Sequence, residues 1–131
     1  MNFKKRNAQG YVFLKPFNGI YLPTYVQNLL IKNLCEQKGF IFNLSVNEQN
    51  IKNCWMELFS IVKKKEIEII VMASIYMLPS NPKDFKKLCD YVKKNKKMFF
   101  FIFENKHSKS LNDLKGLQRK FNTYRKLDKF V

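Results

Sequence analysis

The chain has 131 residues, which is the length of one compact domain and too short for two ordinary ones. Apolar residues make up 46% of it, and its 13 Phe and 6 Tyr exclude an intrinsically disordered chain. The longest nearly apolar stretch, residues 69–78, has about half the length of a membrane span, and the N-terminus lacks the apolar segment of a secretory signal. We therefore expect a soluble, cytoplasmic domain without a transmembrane segment.

The net charge of +15 comes from 25 basic and 10 acidic residues and allows two interpretations. The first is a binding surface for nucleic acid or an anionic membrane, because lysine and arginine release counterions from phosphate backbones. The second is a solvated basic surface that reflects a general bias of composition toward Lys, Asn, Ile and Phe. The second is favoured because the chain has only three arginines, Arg6, Arg119 and Arg125, and arginine is the preferred residue for base contacts.

Cysteine and histidine usage excludes several kinds of site. Cys35, Cys54 and Cys89 are far apart and form no CxxC pair, so neither a disulfide framework nor a zinc site is predicted. His107 is the only histidine, which excludes a multi-histidine metal site and disfavours a Ser-His-Asp triad. No glycine-rich nucleotide motif is present, and no cofactor is predicted.

Apolar patterning predicts strands and helices in alternation along the chain. The predicted strands are residues 10–15, 40–46, 67–73 and 98–103. The predicted helices are residues 23–38, the stripe from Ile51 to Val62, a segment around residues 85–92 and a last helix over about residues 110–128. The third and fourth strands, IEIIVMA and MFFFIF, are almost continuously apolar, which is typical of parallel strands covered on both faces.

This alternation predicts a small three-layer α/β domain with a central, mainly parallel sheet of four or five strands. Residues 1–9 are expected to be a flexible N-terminus, residues 10–104 the α/β domain and residues 105–131 a C-terminal helix, with residues 105–109 also flexible. In that helix Leu114, Leu117, Phe121 and Tyr124 form a narrow apolar seam. The seam either packs on its own sheet or forms a homodimer interface.

Ligands of parallel α/β sheets bind at the carboxyl ends of the strands, near a topological switch point. The lysine runs 63–65 and 93–97 are predicted at helix C-termini, at the opposite edge, where cations complement the helix dipole. The sequence therefore places these runs away from the expected pocket.

Polar side chains after the predicted strands are the candidates for that pocket. The candidate substrate-binding residues are Lys15, Phe17, Asn18, Gln27, Asn28 and Ser74, and the candidate catalytic residues are Glu48, Tyr76 and Glu104. Each has a plainer interpretation that stays open. Asn18-Gly19 also fits a simple turn, Glu48 a solvated loop carboxylate, Tyr76 a half-buried core residue and Glu104 a helix cap or the partner of a lysine.

The stretch GYVFLKPFNGIYLPTYVQN, together with Glu48, Ser74, Tyr76, Leu78-Pro79 and Glu104, resembles the sporadic carbohydrate cluster family. These are small bacterial proteins encoded among genes of surface-polysaccharide biosynthesis. The resemblance covers about residues 10–104 and is most specific at the PFNG loop and the segment that follows it. It implies a pathway, surface-carbohydrate biosynthesis, and not a particular reaction.

A more distant resemblance links the order of elements to the catalytic domain of serine recombinases and implies a flavodoxin- or resolvase-like fold. Serine recombinases need a nucleophilic serine with an arginine just after the first strand, where this chain reads VFLKPFNG. They also need Asp-Arg and a further arginine after the third strand, where it reads SIYMLPSNPKDFKK. Without these groups strand exchange is not expected.

The leading hypothesis is a protein of surface-carbohydrate biosynthesis that binds or modifies a sugar, sugar phosphate or nucleotide sugar at the carboxyl edge of the sheet. Lys15 and the N-terminus of the first helix would meet a phosphate, while Asn18, Gln27 and Asn28 bind hydroxyls. Glu48, with Tyr76 or Glu104, would transfer protons if the protein is an enzyme. The alternatives are a nucleic-acid-binding module with a degenerate recombinase-like fold and a non-catalytic partner of a pathway enzyme.

Overall fold

The computed structural model describes residues 5–128, with side chains as far as residue 125. The strands are β1 (Asn7–Val12), β2 (Ile41–Asn47), β3 (Ile69–Met72), β4 (Met98–Phe101) and β5 (Lys106–Ser108). The helices are α1 (Thr24–Lys38), α2 (Met56–Lys63), α3 (Pro82–Asn95) and α4 (Leu111–Asp128), with a single 3-10 turn at Ile75–Met77.

The five strands form one sheet in the order β2-β1-β3-β4-β5. The first four are parallel, and β5 runs antiparallel to β4 at the edge. The predicted α/β class with a mainly parallel central sheet is therefore confirmed. Because the chain moves outward from β1 in one direction to β2 and in the other to β3, the topological switch point lies between β1 and β3.

Three element boundaries differ from the prediction. β1 begins at Asn7, within the segment expected to be flexible, because pairing with β2 and β3 orders residues that carry little apolar signal. Residues 106–108, also expected to be flexible, form β5. α2 begins only at Met56, so Ile51 lies in an exposed loop rather than on the predicted helical stripe.

The two faces of the sheet have separate apolar clusters. α1 covers one face, where Ile31 and Cys35 pack on Ala8, Val12 and neighbouring strand residues. The other face carries the larger cluster, which receives Leu58 from α2, Leu88 from α3 and Leu114 from α4. One helix on one face and three on the other give the predicted three layers.

The apolar seam of α4 lies against its own domain. Leu114 is fully buried, and Leu117 and Phe121 pack against the larger core cluster. Only the last member of the seam, Tyr124, is substantially exposed. Of the two alternatives for this seam, packing on its own domain and a homodimer interface, three of its four residues follow the first.

The lysine runs have mixed roles. Lys63 lies in the last turn of α2, and Lys93 and Lys94 lie in the last turn of α3, as predicted for cations that complement the helix dipole. Lys97 is different, because it is buried and its amine donates hydrogen bonds to the carbonyl oxygens of Lys64 and Ile67. It therefore supports the loop between α2 and β3 instead of facing solvent.

Candidate functional site: two edge clusters and a cationic groove

The loop that leaves β1 is held by Gln27, a fully buried residue of α1. Its carboxamide nitrogen donates to the carbonyl oxygens of Phe13, at 2.8 Å, and Leu22, at 2.7 Å. Its carboxamide oxygen accepts from the Phe13 amide at 3.1 Å. These bonds occupy the side chain that was expected to bind a substrate hydroxyl, so in this structure Gln27 shapes the loop.

Within this loop Asn18 and Gly19 form a tight turn. Both residues have positive φ, 49° and 75°, and the flanking Phe17 and Ile20 exchange two backbone hydrogen bonds of 2.9 Å. Two successive positive φ values are the signature of a type I′ turn, for which Asn-Gly is the preferred pair. Phe17 is buried below the turn, which leaves Asn18 as the exposed polar group of the loop.

Lys15 lies over an aromatic surface beside the loop. Its amine is 5.0 Å from the ring centroid of Phe13 and 5.1 Å from that of Trp55, and it donates to the carbonyl oxygen of Ile51 at 3.0 Å. The cation is partly exposed and is therefore a charge that the carboxyl edge of the sheet can offer to an anion.

Glu48 is only 1% exposed, and both carboxylate oxygens accept hydrogen bonds. Oε1 accepts from the Tyr11 hydroxyl at 2.9 Å and the Leu58 amide at 3.2 Å. Oε2 accepts from the amides of Gln49 and Glu57, both at 3.1 Å. The carboxylate thus serves the N-terminus of α2, where Trp55 makes no side-chain cap, rather than lying in a solvated loop.

The phenol of Tyr11 is coupled to this carboxylate. Burial, followed by the negative charge of Glu48 and its hydrogen bond, raises the pKa of Tyr11 well above its usual value. Tyr11 therefore remains a neutral donor to Glu48 throughout the physiological range.

Ser74 and Glu104 form a second cluster at the ends of β3 and β4. The Ser74 hydroxyl donates to Glu104 Oε2 at 2.7 Å, and the Ile75 amide donates to Glu104 Oε1 at 2.8 Å. Ser74 Oγ in turn accepts from the Tyr76 amide at 3.1 Å. Glu104 joins the two loops, and among the residues with described side chains it neither caps α4 nor pairs with a lysine.

Tyr76 points toward α4. Its ring stacks edge-on against Phe121, with centroids 6.0 Å apart, and the guanidinium carbon of Arg125 lies 4.9 Å from its centroid. Burial lowers the pKa of Arg125, with the Tyr76 hydroxyl opposing that shift. Of the three candidate catalytic residues, Glu104 belongs to the Ser74 cluster, which Tyr76 joins only through its backbone amide, and Glu48 belongs to the cluster around Tyr11.

A groove of about 590 Å³ separates α3 from α4, on the face opposite α1. Of the described residues that line it, four are cationic: Lys86 and Lys93 from α3, and Lys115 and Arg119 from α4. The one carboxylate, Asp90, lies 3.6 Å from the Lys86 amine. We call this feature the α3–α4 groove.

The rest of the α3–α4 groove combines apolar and neutral polar groups. Its apolar residues are Pro82, Phe85, Cys89 and Leu111, and its neutral polar residues are Ser80, Gln118 and Asn122. Gln118 donates to the Pro79 carbonyl oxygen at 2.7 Å, which ties the groove to the Leu78-Pro79 step. Burial raises the pKa of the Cys89 thiol, so this cysteine is not an activated nucleophile.

The sequence did not indicate the α3–α4 groove. Of its lysines, only Lys93 is interpreted from the sequence, as a cation at a helix end, and the C-terminal helix is considered for its apolar seam. The sequence does contain a pattern that fits the groove. Lys86 and Lys93 are spaced to share one side of α3, and Lys115 and Arg119 are spaced to share one side of α4. Helix pairing was needed to show that these two rows face one groove.

Comparison of the structure with solved proteins shows the same architecture. The catalytic domain of TP901-1 integrase superposes with a TM-score of 0.68 and 16% identity, covering 94% of this chain and 99% of that one. A resolvase family site-specific recombinase from Streptococcus pneumoniae gives a TM-score of 0.63 and 8% identity, with 95% of each chain covered. The chain has a resolvase-like fold. At these identities the likeness concerns the fold alone.

The other comparisons give no family. No family model matches the chain, and no curated protein matches it. Within residues 5–128 no group of three His, Cys, Asp or Glu side chains is placed to hold a metal ion. Among the described helices, none is long and apolar enough to cross a membrane.

Proposed function

We propose that the chain is a protein of bacterial surface-carbohydrate biosynthesis that binds a sugar phosphate or nucleotide sugar in the α3–α4 groove. The pathway comes from the resemblance carried by the PFNG loop, Glu48, Ser74, Leu78-Pro79 and Glu104. The observation that carries the binding site is the set of four cationic side chains around one groove with an apolar floor.

The groove is preferred over the carboxyl edge because the polar groups of that edge are already bonded to one another. Gln27 holds the first loop, Glu48 serves α2, and Ser74 is bonded to Glu104. A ligand would have to break these bonds to use the same atoms, leaving buried groups unpaired at about 1–3 kcal/mol each. Lys15 and Asn18 remain the groups of that edge that a ligand can reach without such a cost.

The chemistry of the groove fits a phosphorylated ligand. A phosphate about 4–5 Å from a lysine or arginine gains about 1 kcal/mol per cation in a water-like dielectric, and more where solvent is excluded. The apolar floor around Phe85 and Leu111 suits a base or a sugar ring, while Ser80 and Asn122 offer hydroxyl and amide partners. Its volume of about 590 Å³ lies within the range of small-molecule sites, about 300–1,000 Å³.

The second candidate is a nucleic-acid-binding module, which the resolvase-like fold and the +15 charge support. The size of the groove favours a sugar phosphate or nucleotide sugar over a nucleic-acid strand. The stretch of α3 from Pro82 to Lys93 is about 16 Å long at 1.5 Å per residue, enough for two or three nucleotides. Single-strand-binding folds usually engage about 4–16 nucleotides.

The test is binding of the full chain to a panel of nucleotide sugars, sugar phosphates, a short oligo-dT and a short DNA duplex, measured by calorimetry at 150 and 300 mM salt. The groove variant is Lys115→Glu with Arg119→Glu. A charge-matched control carries Lys52→Glu with Lys65→Glu, two exposed lysines outside the groove. We expect one sugar class to bind the wild type and the control equally, and the groove variant at least 10-fold more weakly.

Two outcomes would overturn the proposal. Binding to DNA alone, weakened equally by both double variants and falling steeply with salt, would support the nucleic-acid module instead. Absence of binding to every member of the panel would remove the groove as a ligand site.

A further inference from the structure

A second groove, of about 600 Å³, lies on the other face of the molecule between α1 and the edge strand β2. Three large apolar side chains at this groove are unusually exposed: Tyr25 by 68%, Leu29 by 63% and Leu44 by 83%. Tyr25 and Leu29 are four residues apart and therefore share one side of α1. We call these three side chains, with Phe42 beside them, the α1–β2 patch.

The exposure of Leu44 has a local cause in the strand. Gln9 pairs with Asn43 and Tyr11 with Val46, so β2 has one more residue than β1 at this point. This irregularity is a β-bulge at Leu44 and Ser45, opposite Gly10. The bulge turns Leu44 toward solvent, next to α1, instead of into a core.

We infer that the α1–β2 patch is the contact surface between two copies of this chain. Side chains of these sizes and exposures present on the order of 400 Å² of apolar surface, the size of the largest patch on a typical monomer, which is often a functional surface. A two-fold dimer buries the patch of each copy. Together with the polar rim, the total surface buried is roughly 1,000 Å², the lower limit of a specific interface. The inference does not depend on the function proposed for the α3–α4 groove.

The low charge of this groove favours a second copy of the chain as its occupant. The net charge of +15 makes two copies repel over most of their surface, so a contact between them must lie where charge is low. Of the described residues that line this groove, Lys32 alone is charged. An acidic partner or an anionic membrane would gain most at the lysine-rich surfaces and little here. An uncharged apolar patch is complementary to itself, as an isologous two-fold contact requires.

Two buried polar atoms belong to residues that line the same groove. Asn28 Oδ1 and Ser45 Oγ are buried and have no hydrogen-bond partner among the described residues. Such groups are rare in native structures. The bulge interrupts a regular strand edge, so we expect contact through side chains rather than pairing of β2 with β2.

The test is sedimentation equilibrium of the full chain from 5 to 200 µM in 150 and 500 mM salt. We expect a species of twice the 15.7 kDa monomer mass, with dimerisation strengthened at the higher salt because like charges are screened. Leu44→Lys places a charge in the patch and should weaken dimerisation at least 10-fold. Ile51→Lys, at an exposed apolar residue outside the patch, is the control and should leave dimerisation unchanged.

Leu29→Lys provides a second variant on α1, and circular dichroism checks that each variant is folded. A wild type that is monomeric up to 200 µM would overturn the inference. So would a dimer that persists unchanged in both folded patch variants, because its interface would then lie elsewhere.

Discussion

The Tyr11 hydroxyl donates a 2.9 Å hydrogen bond to Glu48 Oε1 beneath the N-terminus of α2. This bond joins a residue of β1 to a carboxylate that also accepts from the Leu58 and Glu57 amides. A carboxylate at this position is favoured by the positive end of the helix dipole and by charge-assisted hydrogen bonds. Glu48 therefore contributes to the stability of the domain through the contact between β1 and α2.

Glu48→Gln should lower the stability of the fold rather than remove a function. The amide group of glutamine presents donors to the backbone amides, so we expect a loss of about 2–3 kcal/mol. At this chain length the midpoint of thermal unfolding should fall by roughly 3–5 °C per kcal/mol. Tyr11→Phe should cost about half as much, and the double variant should be less than additive. An unchanged midpoint with altered ligand binding would instead support a direct role for Glu48.

The two glycines Gly10 and Gly116 should respond to alanine in opposite directions. At Gly10 a Cβ atom would lie 2.1 Å from Ser45 Oγ, at the bulge of β2. At Gly116, in α4, a Cβ atom meets nothing within 4 Å.

Gly10→Ala should therefore destabilise the chain by about 2–3 kcal/mol because the packed side chains of Ser45 and Ile31 must shift. Gly116→Ala should stabilise it by about 0.5–1 kcal/mol through helix propensity. Urea unfolding of both variants measures the difference. Equal effects would show that β1 and β2 are not packed as described.

The parts of the fold that follow from local patterning could be predicted from the sequence. IEIIVMA and MFFFIF indicated β3 and β4 because buried parallel strands are apolar on both faces. β5 could not be predicted, because KHS is short, has two exposed side chains and carries no apolar residue. The ends of β1 and α2 also depend on partners that are distant in sequence.

The candidate residues show a similar division. Their approach to one edge of the sheet was predictable from topology: the Ser74 and Glu104 side chains meet there, whereas Tyr76 contributes only its backbone amide. The sequence could not show whether each side chain is free to bind a ligand or is already hydrogen-bonded within the fold. Gln27 and Glu48 lie where they were expected, but their hydrogen bonds are made to backbone groups of other elements. The α3–α4 groove required the pairing of two helices, which no local pattern encodes.

Stability should fall at alkaline pH through Cys35. Burial raises the pKa of this thiol from 9.0 to about 11. Between these values the unfolded chain loses its thiol proton while the folded chain retains it. The contribution of Cys35 is therefore fully present below pH 9 and is lost as the pH rises toward 11.

Urea unfolding at pH 7.5, 9 and 10 should show a steeper loss of stability for the wild type than for Cys35→Ala. Other alkaline groups cancel in this comparison because both proteins contain them. Identical slopes for the wild type and Cys35→Ala would contradict the assignment.

Lys97 should be a strongly stabilising lysine, although it lies in a run of lysines. Its side chain is 3% exposed, and its amine donates to the carbonyl oxygens of Lys64 and Ile67 between α2 and β3. Lys97→Met fills a similar volume but removes the donor from both carbonyl oxygens, of which that of Ile67 is buried, so we expect a loss of about 2–3 kcal/mol. Lys94→Met, at an exposed position in α3, should change the free energy of unfolding by less than about 0.5 kcal/mol. Chemical unfolding of the pair measures the contrast, and an equally small effect at Lys97 would show that its amine reaches solvent.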